Sequence, residues 1–128
     1  MNFTDEQIRA ACMATTYTTK PHHEHPDCIR IAFEWLAAQQ MTSRPSRRAA
    51  WPIKHLAESW AGRYVSEADV CVAATLLGLL GRYPHFSISS RLTRPSMSRL
   101  RNIGEALTQK NYLFSDYDDC YSRFEGRR

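Results

Sequence analysis

Apolar residues recur at helical spacing along most of this chain, and polar or helix-breaking residues interrupt them at intervals. Ile8, Ala11, Cys12 and Thr15 share one face, Thr4 is placed to cap, and Gln7 completes a capping box, which predicts a helix over residues 5–15. Threonines and Pro21 then end it. Pro26 suits the first turn of a second helix, and Asp27 suits its positive end. Ile29, Ala32, Phe33, Leu36 and Gln40 form one face; Ile31, Trp35 and Ala38 add a second apolar side. A helix apolar around so much of its girth belongs at the centre of a core or against a partner.

After a polar, basic connection over residues 42–48, a third helix is expected over 51–61. Trp51 and Pro52 open it, Ile53, Leu56, Ala57 and Trp60 line it, and Gly62 closes it. Ser66 with Asp69 caps a fourth helix whose buried face is Val70, Ala73, Ala74, Leu77 and Leu80 and whose end is Gly81. Cys71 reads as a small buried hydrophobe within it. Ser87 or Ser89 can then cap a short helix ending near Leu92, followed by a turn over residues 93–95. A longer helix is expected over 96–109, with Met97, Leu100, Ile103, Gly104 and Leu107 facing inward. The tail alternates only in part and fits a strand pair or a last helical turn. Together these elements predict a mainly α fold: a single compact domain of five or six helices spanning residues 1–128, with room for a small C-terminal β-ribbon.

Composition narrows the class. No apolar run approaches the roughly 20 residues that span a bilayer, and the opening MNFTDEQIR has no signal-peptide pattern. A cytoplasmic protein with no membrane partner is expected, its four cysteines reduced thiols. The net charge of +4 is unevenly spread. Residues 1–42 carry three basic against five acidic side chains, residues 43–101 ten against three, and residues 102–128 four against five. A basic block between mildly acidic ends attracts polyanions or acidic partners.

Within that block, residues 82–109 read as a basic helix–turn–helix. On the longer helix, Ser98, Arg101, Asn102, Glu105 and Gln109 project away from the apolar side. Arg101 suits guanine edges, and Asn102 or Gln109 suits adenine edges. Arg91, Arg94 and Arg99 suit phosphates, and Ser96 offers a hydroxyl and a backbone N–H to another. The segment resembles the winged helix–turn–helix DNA-binding domains. Ile88-Ser89-Ser90-Arg91-Leu92 is similar to their short second helix, the run from Pro95 to Ile103 to the start of a recognition helix, and Asn111-Tyr112-Leu113-Phe114 to the entry into a wing strand. The resemblance implies non-enzymatic DNA binding, as a homodimer because one recognition helix rarely gives enough specificity alone.

Other chemistry is thinner. His22, His23, His25, Cys28 and Cys12 are zinc-type ligands without the paired spacing of a zinc module; the plainer expectation is that His25 caps the second helix and the cysteines pack inside. No phosphate-cradling loop, nucleophile elbow or H-E-x-x-H stands in the chain. No enzyme activity, cofactor or metal is expected. Asp116, Asp118 and Asp119 read as a segment balancing the arginines. The alternative function is that of a small phage- or plasmid-type protein that binds and inhibits a protein partner, such as a nucleic-acid-processing or CRISPR effector complex (an anti-CRISPR protein). Trp35, Trp51, Trp60, Tyr64 and Tyr83 are the residue types that anchor such an interface.

Overall fold

The computed structural model of the chain describes residues 3–46 and 52–126. Four α-helices lead: α1 (Asp5–Ala14), α2 (Pro26–Ala37), α3 (Ile53–Ala61) and α4 (Glu67–Leu77). Four short strands follow, β1 (Gly81–Arg82), β2 (His85–Phe86), β3 (Leu92–Arg94) and β4 (Tyr121–Phe124), with 3-10 turns at Met97–Leu100, Lys110–Tyr112 and Ser115–Cys120. Among the described residues the fold is mainly α, but with four helices rather than five or six. Trp51, expected at the start of the third helix, and Arg47 and Arg48 before it lie outside the described residues.

Local signals place the helices. Both capping boxes form, Thr4 with Gln7 and Ser66 with Asp69, each satisfying two backbone N–H groups that the first turn leaves open. His25 accepts from the Asp27 backbone N–H at 2.9 Å and caps α2. α2 buries Cys28, Ile29, Ile31, Ala32, Phe33, Trp35 and Leu36, and so lies at the centre as its two apolar sides predict. It packs against α4 and α3, enclosing Trp35, Leu56, Trp60, Val65, Val70 and Ala73 with Phe86, Ile88, Leu92 and Leu100 from the later chain. A smaller cluster of Ile8, Ile29 and Val72 seats α1. Trp35 and Trp60 are therefore core residues, not interface anchors; their indole N–H groups donate to the Tyr121 hydroxyl and the Pro95 carbonyl. α4 ends early, at Gly78 in the left-handed region, and Gly81 serves the β1–β2 hairpin, where a Cβ would collide with the His85 carbonyl.

The two late helices do not form. Where a short helix was expected, Ser87 and Ile88 pair with the 40–46 strap, and Leu92 begins β3. Where residues 96–109 were expected to be helical, one 3-10 turn is followed by successive turns. Backbone accounting gives the reason. The N–H of Glu105 goes to the Asp27 carboxylate at 3.1 Å, that of Leu107 to the Ala61 carbonyl at 2.7 Å, and that of Gln109 to the Gly62 carbonyl at 2.9 Å. The last two acceptors are the orphan carbonyls at the end of α3, so satisfying one helix terminus prevents another helix. Leu107 takes φ of 63° to reach them. The C-terminal strand does form, but β4 runs parallel to β3 instead of closing a local ribbon. Buried Gln39 locks that corner: its amide donates to the Trp35 and Thr93 carbonyls and accepts from the Thr93 N–H.

Candidate nucleic-acid interface

The predicted site residues separate into two groups. Several are committed to contacts within the chain. Arg99 donates through Nε and one terminal nitrogen to both Glu125 oxygens at 2.7 Å, and through the other to Glu34 at 2.7 Å. The Ser96 N–H, expected to meet a phosphate, meets the Glu125 carboxylate at 2.8 Å. The hydrogen bond from Arg99 holds that carboxyl below the usual glutamate range and, with Glu34, raises the Arg99 guanidinium. The pattern around Ser96 and Arg99 does bind an anion, and the anion is the chain's own tail. Arg94 pairs with Asp118 at 3.4 Å, as the charge-balancing reading expects. Gln109 accepts from the Tyr64 N–H at 3.0 Å instead of facing outward. Ser98 bonds Ser96, and Asn102 lines a cleft with Asp27, Arg30 and Arg99.

Arg91 and Arg101 are exposed, and Arg91 belongs to a larger arrangement. The strap of residues 40–46 lies along 86–89: Thr42 donates to Ser87 at 2.9 Å, Ser46 to Phe86 at 3.1 Å, and Ser89 back to Gln40 at 2.8 Å. Met41 bridges Ile88, and Pro45 packs on Gly81. Arg123 of β4 donates to the Gln40 side chain at 2.9 Å and to the Arg91 carbonyl at 3.2 Å. These contacts gather Arg44, Arg82, Arg91 and Arg123, all exposed, on the strap, the hairpin and the β3–β4 corner. The chain has no Asp or Glu from 35 to 57 or from 70 to 104, and the strap and the hairpin come from those two runs. Hydrogen bonding thus brings one acid-free run against the other, with exposed arginines on both. Arg44 and Arg123 escaped the sequence reading; the paired acid-free runs were the available signal.

A second surface lies beside this face. Burial pushes the phenol of Tyr83, next along the chain from Arg82, up to about 12, and the nearby Lys54 backbone at the start of α3 opposes that shift. Lys54 lines an open cleft of about 350 Å³ with His55, Tyr64, Tyr112, Phe114 and Tyr117. Glu58, buried one turn further along α3, accepts from Lys54 Nζ at 2.7 Å, contacts His55 Nδ1 at 3.2 Å, and caps the Val65 N–H at 3.2 Å. Arg63 is held by Glu24 and Glu105; burial opposes its charge, and the two carboxylates outweigh burial.

The histidine–cysteine segment folds for packing. His23 Nδ1 is 2.6 Å from Asp69, itself 0% exposed, and its Nε2 is 2.9 Å from the Tyr17 hydroxyl. This chain of contacts pins residues 17–23 to α4. Burial, and then the Asp69 charge, pushes the Cys28 thiol up to about 12, away from the thiolate a metal requires. Among the described residues no group of three or more His, Cys, Asp or Glu side chains is disposed to hold a metal ion. No described helix is long and apolar enough to cross a membrane. No protein-family model matches the chain, and no match was found among curated proteins or solved structures.

Proposed function

We propose that this chain is a non-enzymatic nucleic-acid-binding protein whose contact surface is the basic face of Arg44, Arg82, Arg91 and Arg123. The observation that carries the reading is the union of the two acid-free runs: the strap hydrogen-bonds to the hairpin, and four exposed arginines stand on the strap, the hairpin and the adjoining β3–β4 corner. Phosphates supply most nucleic-acid affinity, and arginine forks suit them. The face is built from a strap and short strands rather than from a helix that would enter a major groove. It therefore grips backbone, and base identity enters weakly.

Fluorescence anisotropy with a labelled oligonucleotide, titrated at several salt concentrations, tests this reading. Wild type should bind at low salt and weaken steeply as salt rises. Replacing Arg44, Arg82, Arg91 and Arg123 together by alanine should flatten the log–log salt slope by roughly 3. Folding should hold, because, among the described residues, the core includes none of these side chains and the replacement gives up only the two exposed hydrogen bonds of Arg123. Absence of binding at low salt would overturn the reading and leave the basic face to the acidic surface of a protein partner.

A further inference from the structure

The cleft beside the basic face has an unusual lining. Among the described residues five rings border it: His55 and Tyr64 from α3 and the residues just after it, and Tyr112, Phe114 and Tyr117 from the late chain. The His55 and Tyr117 rings are parallel to within 1°, with centroids 6.4 Å apart. That is near the far end of the roughly 4.5–7 Å span of interacting pairs, so neither ring spends its full face on the other. Phe114 stands edge-on to Tyr117 at 5.4 Å and remains 52% exposed. Tyr112 approaches Tyr64 at 6.1 Å, and Lys54 Nζ sits 4.8 Å above the Tyr64 ring.

We propose that this cleft is a stacking site for an unpaired nucleobase, so that the strand held by the basic face is single-stranded. The proposal rests on the nucleic-acid reading and names its substrate class. Three observations favour a base over a peptide side chain. The cleft offers flat ring faces together with a cation, the combination used by proteins that hold single strands. Among the described lining residues the one carboxylate, Glu58, is buried and occupied by Lys54, His55 and the Val65 N–H, so it is not free to meet a basic peptide. The site also lies near the basic face: Arg82 precedes Tyr83, whose phenol lies close enough to the Lys54 backbone to be influenced by it. Asn111, at the rim, supplies an amide able to donate to and accept from a base edge. Glu58 matters for more than charge. By holding both His55 and Lys54 it fixes the ring and the cation before the ligand arrives, which lowers the ordering cost of binding.

The test compares three labelled oligonucleotides of equal length by anisotropy: a single strand, a single strand built of abasic residues, and a duplex. Wild type should bind the base-bearing strand ten- to a hundredfold more tightly than the abasic strand, the gain stacking of one base provides. It should also prefer that strand to the duplex, whose bases are already stacked. Replacing Phe114 and Tyr117 together by leucine keeps apolar bulk but removes the rings. That variant should lose the preference for bases and keep the wild-type affinity for the abasic strand. Equal wild-type affinity for the base-bearing and abasic strands would overturn the stacking site while leaving the basic face intact. Failure to bind any of the three would overturn both proposals. The wild-type comparison stands even if the leucine variant does not fold.

Discussion

Arg91 and Arg99 belong to the same acid-free run of the chain, yet the fold sets them to opposite tasks. Arg99 meets two carboxylates, Glu34 from α2 and Glu125 from the tail, and every one of its guanidinium nitrogens is engaged. Arg91 stays exposed, and its backbone carbonyl draws in a further arginine, Arg123. Charge counted along a sequence is therefore a poor guide to charge on a surface. What decides is whether an acid from elsewhere in the chain folds onto the basic segment. Glu34, Asp118 and Glu125 fold onto residues 94–99, whereas the strap that covers the hairpin brings another basic, acid-free stretch. The first region is a structural joint; the second keeps its arginines exposed.

Arg99→Ala should show the sharpest contrast between the two regions. It takes the cation from two partly buried carboxylates at once and releases the β4 end from the Met97–Leu100 turn. Charged hydrogen bonds at such sites are worth about 1.5–3 kcal/mol, and stranding a carboxylate adds to the loss. A destabilisation of about 2–3 kcal/mol is expected from urea unfolding, with nucleic-acid affinity of the remaining folded protein within about twofold of wild type. A loss of stability below about 0.5 kcal/mol, or a collapse of affinity in folded protein, would erase the distinction.

Acid should loosen the same joint. The folded-state pKa of Glu125 is depressed by Arg99, with the Ser96 N–H adding to the effect. A depressed carboxylate contributes stability at pH values above its unfolded pKa, near 4.5, and loses that contribution as pH falls through the lower folded value. Glu125→Gln removes the titration. Wild type should exceed the variant by about 1 kcal/mol at neutral pH, a figure reduced for the partial exposure of the pair. The gap should begin to close below pH 4.5 and vanish in stronger acid. A gap that stays constant from neutral pH to strong acid would mean that packing, not the ion pair, carries the contribution of Glu125.

The legible and illegible parts of this fold differ by the range of the contacts that make them. α1 and α4 were readable because Thr4 with Gln7, and Ser66 with Asp69, close their capping boxes within four residues of sequence. α2 was readable because seven of its residues are buried, so its pattern is nearly all apolar. The stretch after Gly81 carries an equally fair helical pattern, but its backbone N–H groups find acceptors on Asp27, Ala61 and Gly62, which no local window includes. The site divides the same way. Arg91 announced itself within a basic run. Arg44 and Arg123 became part of the face only through pairing across the chain, and the ring cleft needed α3 to meet residues 111–117. Glu125 was invisible as a ligand because its partner Arg99 lies 26 residues away.

Arg94 occupies the boundary between the two regions and gives the smallest effect. Its contact with Asp118 is 3.4 Å long and Asp118 is half open to solvent, the kind of pair that contributes at most about 1 kcal/mol. Asp118→Asn should leave stability within that margin. It should also release Arg94 at the edge of β3, two residues from Leu92 and beside the corner where Arg91 and Arg123 meet. One guanidinium would then pass from the joint to the face. Affinity for a single strand should rise by a fewfold, and the log–log salt slope should steepen by about 0.7, the increment for one more phosphate. An unchanged slope would place Arg94 on the joint side of the boundary even without its acid, and would confine the binding face to the strap, the hairpin and Arg123.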